Sequence, residues 1–300
     1  MQQSKRTVIV AFFVNAAIAV FKLVAGLISK SSSMLAESYH SFSDTFNQVC
    51  LFLGLNLSKK QADEKHPFGY GNEQFFWSFI VAVMLFGVAG VLSVKQGIQK
   101  LINPHVLEDV TLSYIALGVA FVLEAYGLSV ALKEIRHFMK TEKCNNIFQA
   151  IRDSKNSIAI TVVFEDSLAL TGLIIAAIGI FLSETTGNII FDSIASIVIG
   201  VLLMLFAFML AYKVKNLLIG ESVSPMKRKN ILKIVNSFKE VENVVDLRTM
   251  HLSAEEALIV IEVNFKNNVH VGRLEKVIAA MDTKIKQAVP GSKVIIEAHK

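Results

Sequence analysis

Leu35-Ala36-Glu37-Ser38-Tyr39-His40-Ser41-Phe42-Ser43-Asp44 and Val162-Val163-Phe164-Glu165-Asp166 are the two runs that decide the reading of this chain. Both lie inside stretches long and apolar enough to cross a bilayer as helices. An ionised carboxylate at that depth costs at least about 2.5–3.5 kcal/mol on insertion scales, so each acid is a functional-site candidate. His40 precedes Asp44 by four residues, and a helix stacks the imidazole and the carboxylate on one face. Histidine and carboxylates turned inward in a membrane form the ligand set of a divalent-metal pathway.

Composition agrees with a membrane setting. The chain has 300 residues, 53% of them hydrophobic, and a mean hydropathy of +0.52. Charge is sparse in several stretches and dense from about residue 213 onward, which predicts a membrane domain, residues 1–213, followed by a soluble domain, residues 214–300. The net charge of +5 does not point to nucleic acid, because the basic residues cluster in short loops beside the apolar spans. Cys50 and Cys144 form no metal or redox spacing and no disulfide framework. The stretch Val8 to Ile28 is longer than the apolar core of a signal peptide and is read as the first span.

Six spans are predicted, at 7–29, 34–58, 75–101, 111–133, 157–182 and 189–213. One set of connections carries Lys5, Arg6, Lys59, Lys60, Lys65, Lys133, Arg136, Lys140, Lys143, Arg152, Lys155, Lys213 and Lys215; the other carries little beyond Lys30 and Lys100. The positive-inside rule makes the first set cytoplasmic, and with it both termini. No organellar transit signal is visible, so the expected location is the cell (inner) membrane. The tail reads as α-β-β-α-β: a helix from Ser224-Pro225 to about Phe238, strands at Val244–Leu252 and Leu258–Phe265, a helix over Gly272–Ala288, and a closing strand at Lys293–Glu297.

Within the spans, Asp166 is the ligand expected from the fifth helix. Glu165 lies about 100° round that helix, so both acids cannot face one ion squarely; Glu165 lines the path or reaches a neighbouring helix. Glu124, in Val122-Leu123-Glu124-Ala125-Tyr126-Gly127, is a further buried acid. Glu37 is read as a vestibule charge and Asn15 as a bracing residue. The span glycines, among them Gly90, Gly127, Gly172 and Gly200, are read as points of close helix approach.

With His40 and Asp44, the turn His66-Pro67-Phe68-Gly69-Tyr70-Gly71, Asp192 at the head of the sixth span, and Asp246-Leu247-Arg248-Thr249 and Pro290-Gly291-Ser292 in the tail, the chain resembles the cation diffusion facilitators, divalent-metal/proton antiporters. Arg152-Asp153, Phe164-Glu165-Asp166 and the Glu124 segment are most similar to the zinc transporter 9 branch. The resemblance implies an α-helical membrane protein with six transmembrane helices and a small α+β, ferredoxin-like, metallochaperone-like cytoplasmic domain. It also implies a homodimer, a transport bundle made of helices one, two, four and five, and a divalent cation exchanged for protons, with no enzymatic activity and no cofactor beyond the transported ion.

Where the family carries a second histidine on the fifth helix, this chain has Val162, which binds no metal. Glu124 or Glu165 then supplies the missing ligand, giving His40, Asp44, Asp166, Glu124 and Glu165 as the candidate metal set. In the loop Asp63 and His66 remain while Tyr70 replaces a histidine, and in the tail Glu262, Glu297 and His299 are a second candidate group. Zn²⁺ is the expected substrate. The alternatives are Mn²⁺, Fe²⁺ or Co²⁺, favoured by carboxylate-rich ligation, or a non-transporting scaffold with a degenerate site.

Overall fold

The computed structural model describes residues 2–142, 157–267 and 269–299. Lys143, Cys144, Arg152, Asp153 and Lys155 lie outside the described residues. The helices are α1 (Gln2–Ser29), α2 (Ser32–Leu57), α3 (Glu73–Met84), a π-helical segment (Leu85–Val91), α4 (Leu92–Ile102), α5 (Thr111–Glu142), α6 (Ser157–Thr186), α7 (Ile190–Ile219), α8 (Pro225–Asn236) and α9 (Val271–Ala288). Strands β1 (Val241–His251), β2 (Ala257–Phe265) and β3 (Ser292–His299) complete the tail.

Five helical stretches are long and apolar enough to cross a membrane: Phe12–Ser29, Glu73–Ile102, Thr111–Val130, Glu165–Thr186 and Ile190–Ile219. Helix α2 is the sixth rod of the set. Its 26 residues extend about 39 Å, which is sufficient length, but Glu37, His40, Asp44 and several serines lower its hydropathy. Polarity sets α2 apart because it carries the candidate site. The spans fall close to their expected positions, and α5 and α7 run further, to Glu142 and Ile219.

Contacts divide the chain into two compact units, one of Met1–Val49 with Val81–Met209 and one of Cys50–Ile80 with Leu210–Lys300. In the first unit α5 packs chiefly along α6 and also against α1. The turn of hydrogen bonding in the π segment sits where two backbones meet. A Cβ on Gly200 would lie 2.7 Å from the Gly90 carbonyl oxygen, so only glycines allow this crossing. The core joins Met34, Leu117, Leu173, Ile199 and Leu203 with small residues such as Ala89, Ala120 and Ala176.

Packing in this unit is uneven along the helices. At the end bearing the α1–α2 and α6–α7 turns (the loop end), every residue from Ser31 to Ser41 except Tyr39 is buried. Ala19, Lys22, Ala25, Gly26 and Ser29 are buried on α1, and Ser113, Ala116, Leu117 and Ala120 on α5. Toward the other end no residue from Phe12 to Ile18, nor from Phe121 to Val130, is buried. Burial is therefore dense at the loop end and thins out beyond Ala19 on α1 and Ala120 on α5, while on α2 Ser43, Thr45 and Cys50 stay buried.

In the second unit, the tail follows the expected α-β-β-α-β order. The sheet order is β1-β2-β3, with β1 antiparallel and β3 parallel to the central β2. Ala257, Ile259, Ile261 and Val263 alternate as buried residues along β2. They face Ile231 and Val235 of α8 and Val277, Met281 and Ile285 of α9, the second set at four-residue helical spacing. Ser224 caps α8 by accepting from the Lys227 amide at 3.4 Å, ahead of Pro225 in the first turn. β1 begins at Val241, three residues before its expected start, and carries register shifts on either side of Val244. The second of these places Val245 in an irregular, exposed position.

Candidate metal centre

Helix α2 presents His40 and Asp44 on one face, with His40 Nδ1 3.6 Å from Asp44 Oδ1. That is too long for a hydrogen bond. Both ring nitrogens are buried and without a partner among the described residues. The Asp44 side chain is 21% exposed and the His40 side chain 3%, so the pair straddles the boundary between the packed and the open halves.

Asp166 on α6 leans against α5. A Cβ on Gly127 would lie 3.0 Å from Asp166 Oδ2, and this oxygen too is buried without a partner among the described residues. Glu124 is one turn before Gly127 on the same side of α5. Glu165 points elsewhere: its Oε1 accepts from Asn47 Nδ2 at 2.9 Å. The five expected side chains lie on three helices of the first unit, α2, α5 and α6. They do not form one coordination sphere: among the described residues no three His, Cys, Asp or Glu side chains lie close enough to hold a single ion. Carboxylates and an imidazole are donor types that suit a divalent cation.

Two groups outside the expected set complete the neighbourhood. Asn47 falls seven residues after His40, on the same helical stripe, which is the signal that would have found it. Lys22 is a lysine inside the first apolar span and is 1% exposed. Its Nζ lies 3.1 Å from Glu37 Oε2 and donates to Ser41 Oγ at 2.9 Å. Glu37 is thereby corrected from a vestibule charge to a fully buried, ion-paired residue. The rule that marks intramembrane acids marks intramembrane lysines equally.

At the loop end Asp192 of α7, also fully buried, is bound by the start of α2. Its carboxylate accepts from Ser31 Oγ at 2.6 Å, the Ser32 amide at 2.6 Å, the Ser33 amide at 3.2 Å, the Ser33 hydroxyl and Lys100 Nζ at 2.8 Å. An anion at a helix N-terminus is favoured by the free amides and the helix dipole. Lys100, expected in a loop, is instead 5% exposed and committed to this pair.

The loop and tail candidates resolve differently. Asp63 accepts from the Tyr70 hydroxyl at 2.7 Å and from the amides of His66 and Lys65. The Tyr70 bond, followed by that of His66, holds the Asp63 carboxyl below its ordinary range. Tyr70 thus occupies the carboxylate that a metal would need. In the tail, Glu262 stands beside Glu297 in register and His299 beside Asn264. Arg248 lies over this row, 2.6 Å from Asp246 and 3.8 Å from Glu262. A guanidinium is already the counter-charge there. His105 and His270 are exposed, and His251 is half-buried in β1.

Comparison with known proteins matches this architecture. The cation efflux transmembrane domain family covers residues 8–219, and the cation efflux protein cytoplasmic domain family covers residues 223–298. The chain is 32% identical over 269 residues to the Xenopus laevis mitochondrial proton-coupled zinc antiporter SLC30A9, covering 90% of the chain and 48% of the relative. It is 30% identical over 264 residues to the Homo sapiens protein of the same name, at 88% and 46% coverage. It is 31% identical over 248 residues to Arabidopsis thaliana metal tolerance protein C4, at 83% and 54%. The chain thus spans about half the length of the curated relatives it matches. With helical spans, acids within α2 and α6 and an α-β-β-α-β tail each in place, the chain belongs to the cation efflux family of multi-pass membrane transporters.

Proposed function

We propose that the protein moves a divalent metal ion, Zn²⁺, across a membrane in exchange for protons. The observation that carries this reading is a set of unpaired polar atoms on the spans of the first unit. His40 Nδ1, His40 Nε2 and Asp166 Oδ2 are buried there and lack protein partners among the described residues. Atoms left unpaired at burial cost are retained where a ligand pairs them. Zinc takes four nitrogen and oxygen ligands. Asp44, His40 and Asp166 supply three, and Glu124 supplies the one that Val162 does not, because Asp166 lies against the helix carrying Glu124. Glu165, held by Asn47, lines the approach.

Exchange follows from ligand chemistry. Each group must give up its proton to bind metal, so metal arriving from one side expels protons and protons arriving from the other expel metal. Residues 1–213 form the transport domain in this reading and residues 214–300 a cytoplasmic regulatory domain. The basic connections support cytoplasmic termini in the cell (inner) membrane. A homodimer is supported by the sheet face opposite α8 and α9, where Val260 and Ile295 carry no helical cover. One specific feature favours a second reading, transport of Mn²⁺, Fe²⁺ or Co²⁺: the pocket holds one imidazole against four carboxylates, a set that suits harder ions.

The test is flux in proteoliposomes. Asp44→Ala and Asp166→Ala proteins are expected to insert with unchanged helicity and to move no zinc. Full zinc flux by either variant overturns the site, and flux of Mn²⁺ in preference to Zn²⁺ selects the second reading.

A further inference from the structure

We propose that the Lys22–Glu37 ion pair is the latch that holds the loop end of the bundle closed, the contact that must part for the site to open toward that end. Two buried carboxylates lie in the packed half, and they are held very differently. Asp192 receives hydrogen bonds from two backbone amides, two serine hydroxyls and Lys100. A carboxylate so bound has no spare capacity and serves as a fixed pivot between α2, α4 and α7. Glu37 keeps one contact. Its Oε2 meets Lys22, while Oε1 is buried with no partner among the described residues.

Oε1 is pressed against α6 at Gly172, where any Cβ would collide with it. Glu37 therefore joins α1 through Lys22 and touches α6 through a residue that has no side chain to grip it. On the other side, Lys22 Nζ has three protons and two partners, Glu37 and Ser41. A half-satisfied buried ion pair is costly to keep and is weakly specified by its surroundings. It separates with little loss once water reaches it, because both ions regain hydration. The position suits a gate. Within Ser31–Ser41 every residue but Tyr39 is buried, and Glu37 lies about one turn nearer the loop end than His40. The pair thus lies between His40 and the loop end.

The inference rests on the transport reading only in taking opening at the loop end as part of the working cycle, and its test uses no metal. Ser38, buried beside Glu37, is changed to cysteine in a Cys50→Ser, Cys144→Ser background. A membrane-impermeant maleimide is added to metal-free proteoliposomes from the loop-end side of the bundle. Three proteins are compared: the parent pair, Lys22→Gln/Glu37→Gln, and the exchanged pair Lys22→Glu/Glu37→Lys. Both double variants avoid leaving one ion buried alone, so each keeps a fold to measure. The latch predicts a labelling rate about tenfold higher in the double-glutamine protein, and a return to near the parent rate in the exchanged protein. Equal rates in the parent and double-glutamine proteins overturn the proposal. So does fast labelling in both double variants, which would assign the closure to packing rather than to the ion pair. Neither outcome bears on whether Asp44 and Asp166 carry zinc.

Discussion

The loop end and the open half of the same helices treat buried charge in opposite ways. At the loop end Asp192 is matched donor for donor, and its serine and lysine partners come from two segments of the chain, Ser31–Ser33 and α4. Deeper along the helices, His40 and Asp166 keep polar atoms that have no partner among the described residues. The first arrangement is what a protein needs to hold an ion permanently, since a buried carboxylate is stable only when its oxygens are satisfied. In the proposed reading the second is completed by a metal ion. Structural and functional acids are told apart here by their partners, since both kinds lie in membrane-depth helices.

The largest effect is expected from breaking the satisfied side. Asp192→Ala leaves Lys100 buried without its counter-ion and uncaps α2, and costs about 3–5 kcal/mol. Thermal unfolding in detergent should show a large loss of Tm, and an unchanged Tm would mean that the network is not structural. A smaller and more selective effect is expected at Gly127. Gly127→Ala improves helix propensity by about 1 kcal/mol, while its new methyl pushes the Asp166 carboxylate off α5. Stability should hold or rise as zinc affinity falls, read by calorimetric titration. Affinity retained at the parent level would remove Asp166 from the site.

The smallest effect lies in the loop. Tyr70→Phe removes the foremost group holding the Asp63 carboxyl low, so the Asp63 pKa rises toward its ordinary value. Because the folded pKa is depressed, this carboxylate favours the folded turn above its unfolded pKa and loses that contribution as pH falls through the folded one. The variant should therefore show a weaker acid dependence of the loop, followed by carboxyl NMR shifts. An unmoved Asp63 titration would show that its backbone donors suffice.

Much of this was legible in the sequence, and the remainder was hidden for physical reasons. Apolar length gave the spans, and the β-branched alternation of Leu258 to Phe265 gave the central strand. His40 and Asp44 were readable because a four-residue spacing has one meaning on a helix. Pairings were not readable. Lys22 and Glu37 lie on different helices, and Ser31 meets Asp192 across 161 positions; such contacts are set by tertiary packing, not by local pattern. The glycines of the Gly90–Gly200 crossing were readable as points of close approach, whereas the π segment beside it and the β1 irregularity, set by pairing register with β2, left no local mark.

The most direct test of the account is a structure of the protein with zinc, with anomalous scattering collected at the zinc edge. The account predicts one strong peak in the membrane domain, bonded at about 2.0–2.2 Å to carboxylate oxygens of both Asp44 and Asp166, with His40 coordinated. A peak that touches neither acid, or zinc held only at the tail, would contradict it.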